Sequence, residues 1–288
     1  MNTSKLHIIG SNGFIGKTIT KMLENSDINF NLISRNEIDL LSSKAVKYYE
    51  QNINDNDSIL FIAAEAPCKT DKNYHNNIVM ANNFLAGIKH LELRTFGYVS
   101  SDAVYKDSQS LLSENSPVGV KGLHGQMHLT RESLFKSCVN AKNIFVARPT
   151  LIYGNEDPHN GYGPNRFLRN ALNGETISII GKGEEIRDHI HVDDVAKTLI
   201  LLIKREFSGD INICSGNGIS FMEIAELIMK IFPKVEIRFL ERVSEMPHNG
   251  FRLFDVSKLL KFDPKIEFIS LKTYFNKFRV VSKDLNVE

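Results

Sequence analysis

The chain has 288 residues and a mass of 32.6 kDa, enough for one large α/β domain or a larger domain with a smaller lobe. With 42% apolar residues, 24% charged residues and a formal net charge of +1, nothing in its overall balance points to nucleic acid or to a membrane surface. No run of about 18 apolar residues offers a membrane span, and the opening "MNTSKLHIIG" lacks the apolar core of a signal peptide, so a cytoplasmic protein is the expectation. Cys68, Cys138 and Cys214 are widely spaced and odd in number, which argues against a disulfide framework and a zinc knuckle and for reduced thiols.

Apolar, β-rich runs alternate with longer amphipathic ones. In chain order they are "KLHIIG", residues 14–25, "FNLIS", "SILFIAA", residues 76–90, "TFGYVSS", residues 125–138 and "NIFVARP". Such alternation predicts βαβ units, hence a doubly wound parallel α/β sheet of the Rossmann type, with six strands expected by residue 149. Beyond Pro149 glycine and asparagine cluster in "YGNEDPHNGYGPN" and strands become sparse. The reading is a cofactor-binding domain over residues 1–150 and a smaller α/β substrate lobe over 151–288, with some exchange of elements. Helices are predicted over 164–173, 193–204, 220–231 and 270–278, and a strand in "TISII".

"HIIGSNGFIG" places Gly10, Gly13 and Gly16 directly after the first strand and at the start of a helix. A pyrophosphate site needs glycine there: the backbone must turn tightly, approach the phosphates and let the helix pack close, while the helix N-terminus offers N–H groups. Asn12, Phe14 and Ile15 complete that loop as cofactor contacts. The second strand ends in "LISRNEIDL", where NAD-binding chains of this architecture carry an acid on the ribose. Ser34 and Arg35 stand there instead, which suits the 2′-phosphate of NADP, with NAD as the alternative if Arg35 stacks on adenine or faces solvent.

The GxxGxxG spacing resembles the extended short-chain dehydrogenases, and further motifs make the chain similar to the NAD-dependent sugar-nucleotide epimerase/dehydratase family. "FIAAEAP" resembles the strand-end alanine pair that lines the cofactor, here Ala63 and Ala64. "NNIVMANNFL" resembles a helix that begins with Asn, here Asn77. "YVSSDAVY" carries the hydroxyl residue, Ser101. "VARPTLIYG" resembles the Arg-Pro segment before the nicotinamide-side loop, at Pro149, and "GKGEEIRDHIHVDD", "CSGNGIS" and "FRLFDVSKL" the nucleotide-sugar half. The likeness runs from about Lys5 to about Phe275. It implies that Asp39 and Leu40 lie beside the adenine and that Arg187 and Arg252 hold the pyrophosphate of a nucleotide sugar. It also brings Asn165 and Arg166 to the sugar pocket as donors or merely as helix-start residues, and suggests a homodimer through helices 76–90 and 125–138. Asp193 reads as a helix N-cap rather than a catalytic acid. Asp102 sits where some dehydratases place an acid, but Ala103 follows where they carry Glu, which disfavours 4,6-dehydration.

The departure lies in "HGQMH". The family's Tyr-x-x-x-Lys becomes His124-x-x-x-His128. Three readings compete. A metal site is possible in principle, because residues four apart share a helix face. However, Gly125 stands where the zincin pattern needs Glu, and no third ligand is evident, so no metal is expected. A degenerate scaffold that binds cofactor without catalysis is the second. In the third the histidines do the chemistry. Tyrosine needs a neighbouring ammonium to bring its pKa down from about 10, whereas a histidine near 6.5 needs none and would be opposed by one. On that reading His124 transfers the proton, His128 bonds the nicotinamide ribose and Ser101 orients the substrate oxygen, with Tyr162 the next candidate should His124 prove dispensable. The expected activity is hydride exchange between NAD(P) and a nucleotide-activated sugar, by an epimerase or a reductase.

Overall fold

Five apolar runs form parallel strands β1 (Leu6–Ile9), β2 (Phe30–Ile33), β3 (Ser58–Phe61), β4 (Leu93–Val99) and β5 (Ala141–Pro149) in the computed structural model, which describes residues 4–119 and 122–279. β1 and β3 are buried at every position, as strands covered on both faces must be, whereas β2 at the sheet edge is only half-buried. The sheet's order is β2-β1-β3-β4-β5-β9, and its sixth strand is β9 (Gly209–Ile213), paired in parallel with β5. Five strands rather than six therefore precede residue 150. Strand-forming texture is local, but sheet membership depends on a partner more than 60 residues away.

Helices α1 (Phe14–Leu23), α2 (Lys44–Asn52), α3 (Asp71–Ile88) and α4 (Leu123–Cys138) connect the first five strands. α3 begins five residues before the predicted 76, because the Thr70 side chain accepts the N–H of Asn73 and caps it there. Asn77 is consequently nearly two turns inside the helix rather than at its start. Tyr49, Phe61, Phe84, Phe96, Tyr98 and Phe135 form one fully buried aromatic core, with Phe61 centred 4.9 Å from Phe84 and 5.0 Å from Phe135.

The chain divides into two compact units. The first takes in the chain up to Lys106, Glu114–Pro149 and Val195–Ile213, and the second Asp107–Ser113, Thr150–Asp194 and the chain from Cys214 onward. The second unit has short strands: β6 (Leu151–Tyr153), β7 (Ile177–Ile180), β8 (Ile186–His191), β10 (Gly218–Ser220), β11 (Ile237–Leu240) and β12 (Phe251–Arg252). Strands are thus more numerous after Pro149 than predicted, but several run to only two to four residues, too short to show a period in sequence. The predicted helices are α5 (Pro164–Leu172), α6 (Val192–Lys204), α7 (Phe221–Met229) and α9 (Leu271–Asn276), with α8 (Ser257–Phe262) in addition. α7 starts on a capping box, Ser220 and Glu223 each bonding the other's backbone. Asp193 is not the N-cap of α6 but lies in its first turn, and the Nδ1 of His191 accepts its N–H at 3.1 Å.

Candidate active site

The strand order reverses at β1, which has β2 on one side and β3 on the other, the kind of switch point beyond whose strand carboxyl ends open α/β sheets bind their ligands. Gly10 follows β1 with φ of +98°, and a Cβ there would stand 2.7 Å from the Ala63 nitrogen that follows β3. At Gly16 a Cβ would stand 2.3 Å from the Gly10 carbonyl oxygen, so α1 can lie against the loop only without a side chain. Gly13 is the N-cap of α1, which has no side-chain cap and no acid in its first turn. A bare, electropositive helix start behind a close-packed glycine turn fits a dinucleotide pyrophosphate.

At the end of β2 the Ser34 hydroxyl bonds the carboxylate of Glu37, which also accepts the Ser34 N–H at 2.8 Å. Those bonds, the hydroxyl first, hold the Glu37 carboxyl below its usual range. The Ser-x-x-Glu spacing was visible in sequence as a capping signature, yet Glu37 was not singled out. Arg35 extends into solvent, its side chain 73% exposed, and reaches Asp39 at 3.4 Å. Asp39 accepts the N–H of Leu41, and the Leu40 carbonyl accepts from Asn83 of α3 at 2.8 Å, which ties this segment down.

Behind the alanine pair, Asn77 accepts the Glu65 N–H at 3.1 Å and donates to the Glu65 carbonyl at 3.0 Å. It also accepts from Arg131 at 3.1 Å, and Arg131 donates to the Ala63 carbonyl at 2.8 Å. Sequence reasoning missed Arg131. It has no exposure and lies over the rings of Phe61, Tyr98 and Phe135, and its hydrogen-bond partners among the described residues are neutral. Burial lowers its pKa.

α4 packs against the short turn Asp102–Val104, which Ser101 caps by accepting the N–H of Ala103 at 3.1 Å. His124 and His128, one turn apart on α4, stand edge to face with ring centroids 4.8 Å apart. The Nδ1 of His124 accepts the backbone N–H of Cys68 at 3.3 Å, and the Nδ1 of His128 lies 2.7 Å from the Tyr98 hydroxyl. Burial, then the charges of His124 and Arg131, push the His128 pKa well below its ordinary value. Four residues further on, Glu132 accepts from Ser100 at 2.6 Å and from two nitrogens of Arg148 at 3.0 and 2.6 Å. Gly10, Ala63, Arg131, His128 and His124 thus form one connected set, with Ser101 on the turn that α4 touches and Pro149 buried at the end of β5.

In the second unit Arg187 on β8 and Arg252 on β12 are register partners, 5% and 4% exposed. Arg187 donates to Glu185 and to the Pro247 carbonyl, both at 2.7 Å, while Arg252 lies 3.5 Å from Asp107. The two guanidinium groups that the sequence analysis paired thus stand on adjacent strands. Asn165 is buried in α5 with its amide used on the Gly154 N–H and on Asp157, so it acts as an internal strut, whereas Arg166 beside it is exposed. Tyr162 accepts the Ile180 N–H at 2.9 Å. Among the described residues no group of three or more His, Cys, Asp or Glu could hold a metal ion, and no helix is long and apolar enough to cross a membrane.

Fold and loop together define a Rossmann-type, dinucleotide-binding α/β protein. The model of the NAD-dependent epimerase/dehydratase family matches residues 6–214, and the chain belongs to that family. Among its relatives, a Bacillus subtilis (strain 168) protein described as "Uncharacterized UDP-glucose epimerase YtcB" is 24% identical over 289 residues, covering 92% of this chain and 87% of that one. The UDP-glucuronic acid decarboxylase 6 of Arabidopsis thaliana is 26% identical over 215 residues, 70% of this chain and 61% of that one. Among solved structures, the UDP-glucuronic acid 4-epimerase from Bacillus cereus, in complex with UDP-glucuronic acid and NAD, superposes with a TM-score of 0.80 at 22% identity over 98% of this chain and 99% of that one.

Proposed function

We propose that this chain is an NAD(P)-dependent oxidoreductase or epimerase acting on a nucleotide-activated sugar. The observation that carries the reading is the connected set in the first unit: the glycine turn meets Ala63, Ala63 is bonded by Arg131, and Arg131 lies on the helix that carries both histidines. A cofactor cradled by Gly10–Gly16 would therefore share one end of the sheet with His124, His128 and Ser101. A nicotinamide held there would supply hydride exchange at the carbon bearing the sugar's reacting oxygen. His124 meets that oxygen, Ser101 orients it, and His128 bonds the nicotinamide ribose. Arg187 and Arg252 take the sugar nucleotide's pyrophosphate, as paired guanidinium forks do. NADP is the cofactor Arg35 would read, by turning its exposed side chain from solvent and Asp39 onto a 2′-phosphate, and NAD, held by the Bacillus cereus epimerase, is the alternative. A homodimer through α3 and α4 completes the reading, and light scattering at the mass of one chain would remove it.

The replacement of Tyr and Lys by His124 and His128 favours a second reading, a cofactor-binding scaffold without turnover. Calorimetry with UDP, GDP, CDP and dTDP in the presence of cofactor, followed by turnover assays on the sugars of whichever nucleotide binds, separates the two. The enzyme reading expects nucleotide binding and turnover that His124→Ala lowers roughly 10²-fold or more with cofactor affinity nearly unchanged. Absence of nucleotide binding, or turnover that survives His124→Ala intact, sinks it.

A further inference from the structure

We infer that both histidines of α4 are held as neutral Nε2–H tautomers, His124 by the Cys68 backbone N–H and His128 by the Tyr98 hydroxyl, so that each offers a ligand a hydrogen-bond donor. The role given to these donors rests on the function proposed above, but the tautomers do not.

For His124 the assignment follows from the partner. A backbone N–H can only donate, so the Nδ1 it meets at 3.3 Å must present its lone pair, and the neutral ring carries its proton on Nε2. For His128 it follows from counting. The Tyr98 hydroxyl is fully buried and has one hydrogen-bond partner among the described residues, the His128 Nδ1 at 2.7 Å. Were His128 to donate from Nδ1, the phenolic proton would be left buried without an acceptor. Tyr98 therefore donates, Nδ1 accepts, and His128 keeps its proton on Nε2. Two features hold His128 neutral: the Arg131 guanidinium over the same Tyr98 ring at 5.1 Å, and 4% exposure. The fourth ionisable group on this face of α4, Glu132, is bonded to Arg148 and Ser100 instead.

The consequence concerns how His124 meets the reacting oxygen. An imidazolium would put an N–H at Nδ1, facing the Cys68 N–H donor to donor. In the reducing direction the neutral ring instead directs Nε2–H at the carbonyl oxygen and strengthens that bond as hydride arrival builds charge there, and the alkoxide then takes its proton from water. Placed against a ketosugar carbonyl, it is an electrophile rather than a base. Tyr98 and the Cys68 peptide are then positioning groups for two donors, one to the sugar oxygen and one to the nicotinamide ribose. The arrangement also accounts for losing Tyr and Lys together, because a neutral donor pair needs neither a phenolate nor an ammonium.

The test is long-range ¹H–¹⁵N correlation on protein labelled at its nine histidines, with signals assigned by His124→Gln and His128→Gln. Nε2–H patterns are expected for both rings at pH 7. An Nδ1–H pattern, or a mixture, in either ring overturns the inference whether or not turnover is ever found. Conversely, both Nε2–H patterns in a protein without nucleotide binding leave the inference standing and remove the proposed function. Tyr98→Phe should release His128 into a tautomer mixture, leave the His124 pattern unchanged, and weaken cofactor binding roughly 2- to 12-fold by calorimetry, the range of one lost hydrogen bond. An unchanged His128 pattern in that variant refutes the role of Tyr98. Should Tyr98→Phe not fold, the wild-type spectrum still decides the tautomers.

Discussion

Glu132→Gln tests the electrostatic frame beneath the site. The Glu132 and Arg148 side chains are each 4% exposed and are joined by two bonds, 2.6 Å between Nη2 and Oε2 and 3.0 Å between Nε and Oε1. Removing one charge of such a buried pair costs about 3–5 kcal/mol, most of it from the partner left buried and uncompensated. Arg148 retains Asp210 at 2.8 Å, whose side chain is 24% exposed, so the expectation lies at the lower end. Both carboxylate oxygens accept from Arg148, so a glutamine must also turn its amide N–H groups toward a guanidinium nitrogen that can only donate. About 3 kcal/mol, or roughly 6–12 °C in Tm, should be lost. Urea denaturation reads it as a lowered midpoint at constant slope. As a control, Lys136→Ala removes the 2.6 Å contact to Asp210 from a 41% exposed lysine and should cost less than about 1 kcal/mol. If Glu132→Gln costs no more than that control, the buried pair is not structural and the reasoning fails.

Three further outcomes follow from the geometry. Gly16→Ala, which sets a Cβ 2.3 Å from the Gly10 carbonyl, should destabilise by about 1–3 kcal/mol and weaken cofactor binding; unaltered affinity in calorimetry would mean that the turn is not the pyrophosphate cradle. Arg35→Asp removes a candidate 2′-phosphate partner and adds repulsion, so NADP(H) should weaken roughly 10-fold or more beyond NAD(H), and equal losses on both would show that Arg35 does not read the phosphate. His189 is 6% exposed, neither ring nitrogen has a hydrogen-bond partner among the described residues, and burial holds its pKa down to about 3. Its unfolded value is about 6.5, so the unfolded chain takes up its proton first as pH falls. That share of stability is complete above pH 6.5 and is lost toward pH 3, at up to about 1.4 kcal/mol per pH unit. His189→Phe should flatten this slope in urea melts at pH 7, 6 and 5, and an unchanged slope would refute the assignment.

What the sequence determined by itself is what short-range physics encodes. The glycine turn was legible because tight backbone approach admits no side chain at Gly10 or Gly16, whatever surrounds them. The strand–helix alternation was legible because β1 and β3 are apolar throughout, and α7 because Ser220 and Glu223 cap it within four residues. The tertiary structure alone decided the rest. β9 joined the first sheet through partners on β5, and Arg187 came beside Arg252, 65 residues further on, because β12 pairs with β8. Arg131 reads in sequence as one more helix-surface arginine, and only the rings of Phe61, Tyr98 and Phe135 make it a buried charge among neutral partners. The two histidines show the division most clearly. Their spacing announced that they share a helix face. Which nitrogen each presents was settled by Cys68 and Tyr98, 56 and 30 residues away, because a tautomer is chosen by the hydrogen-bond partner and that partner is supplied by packing.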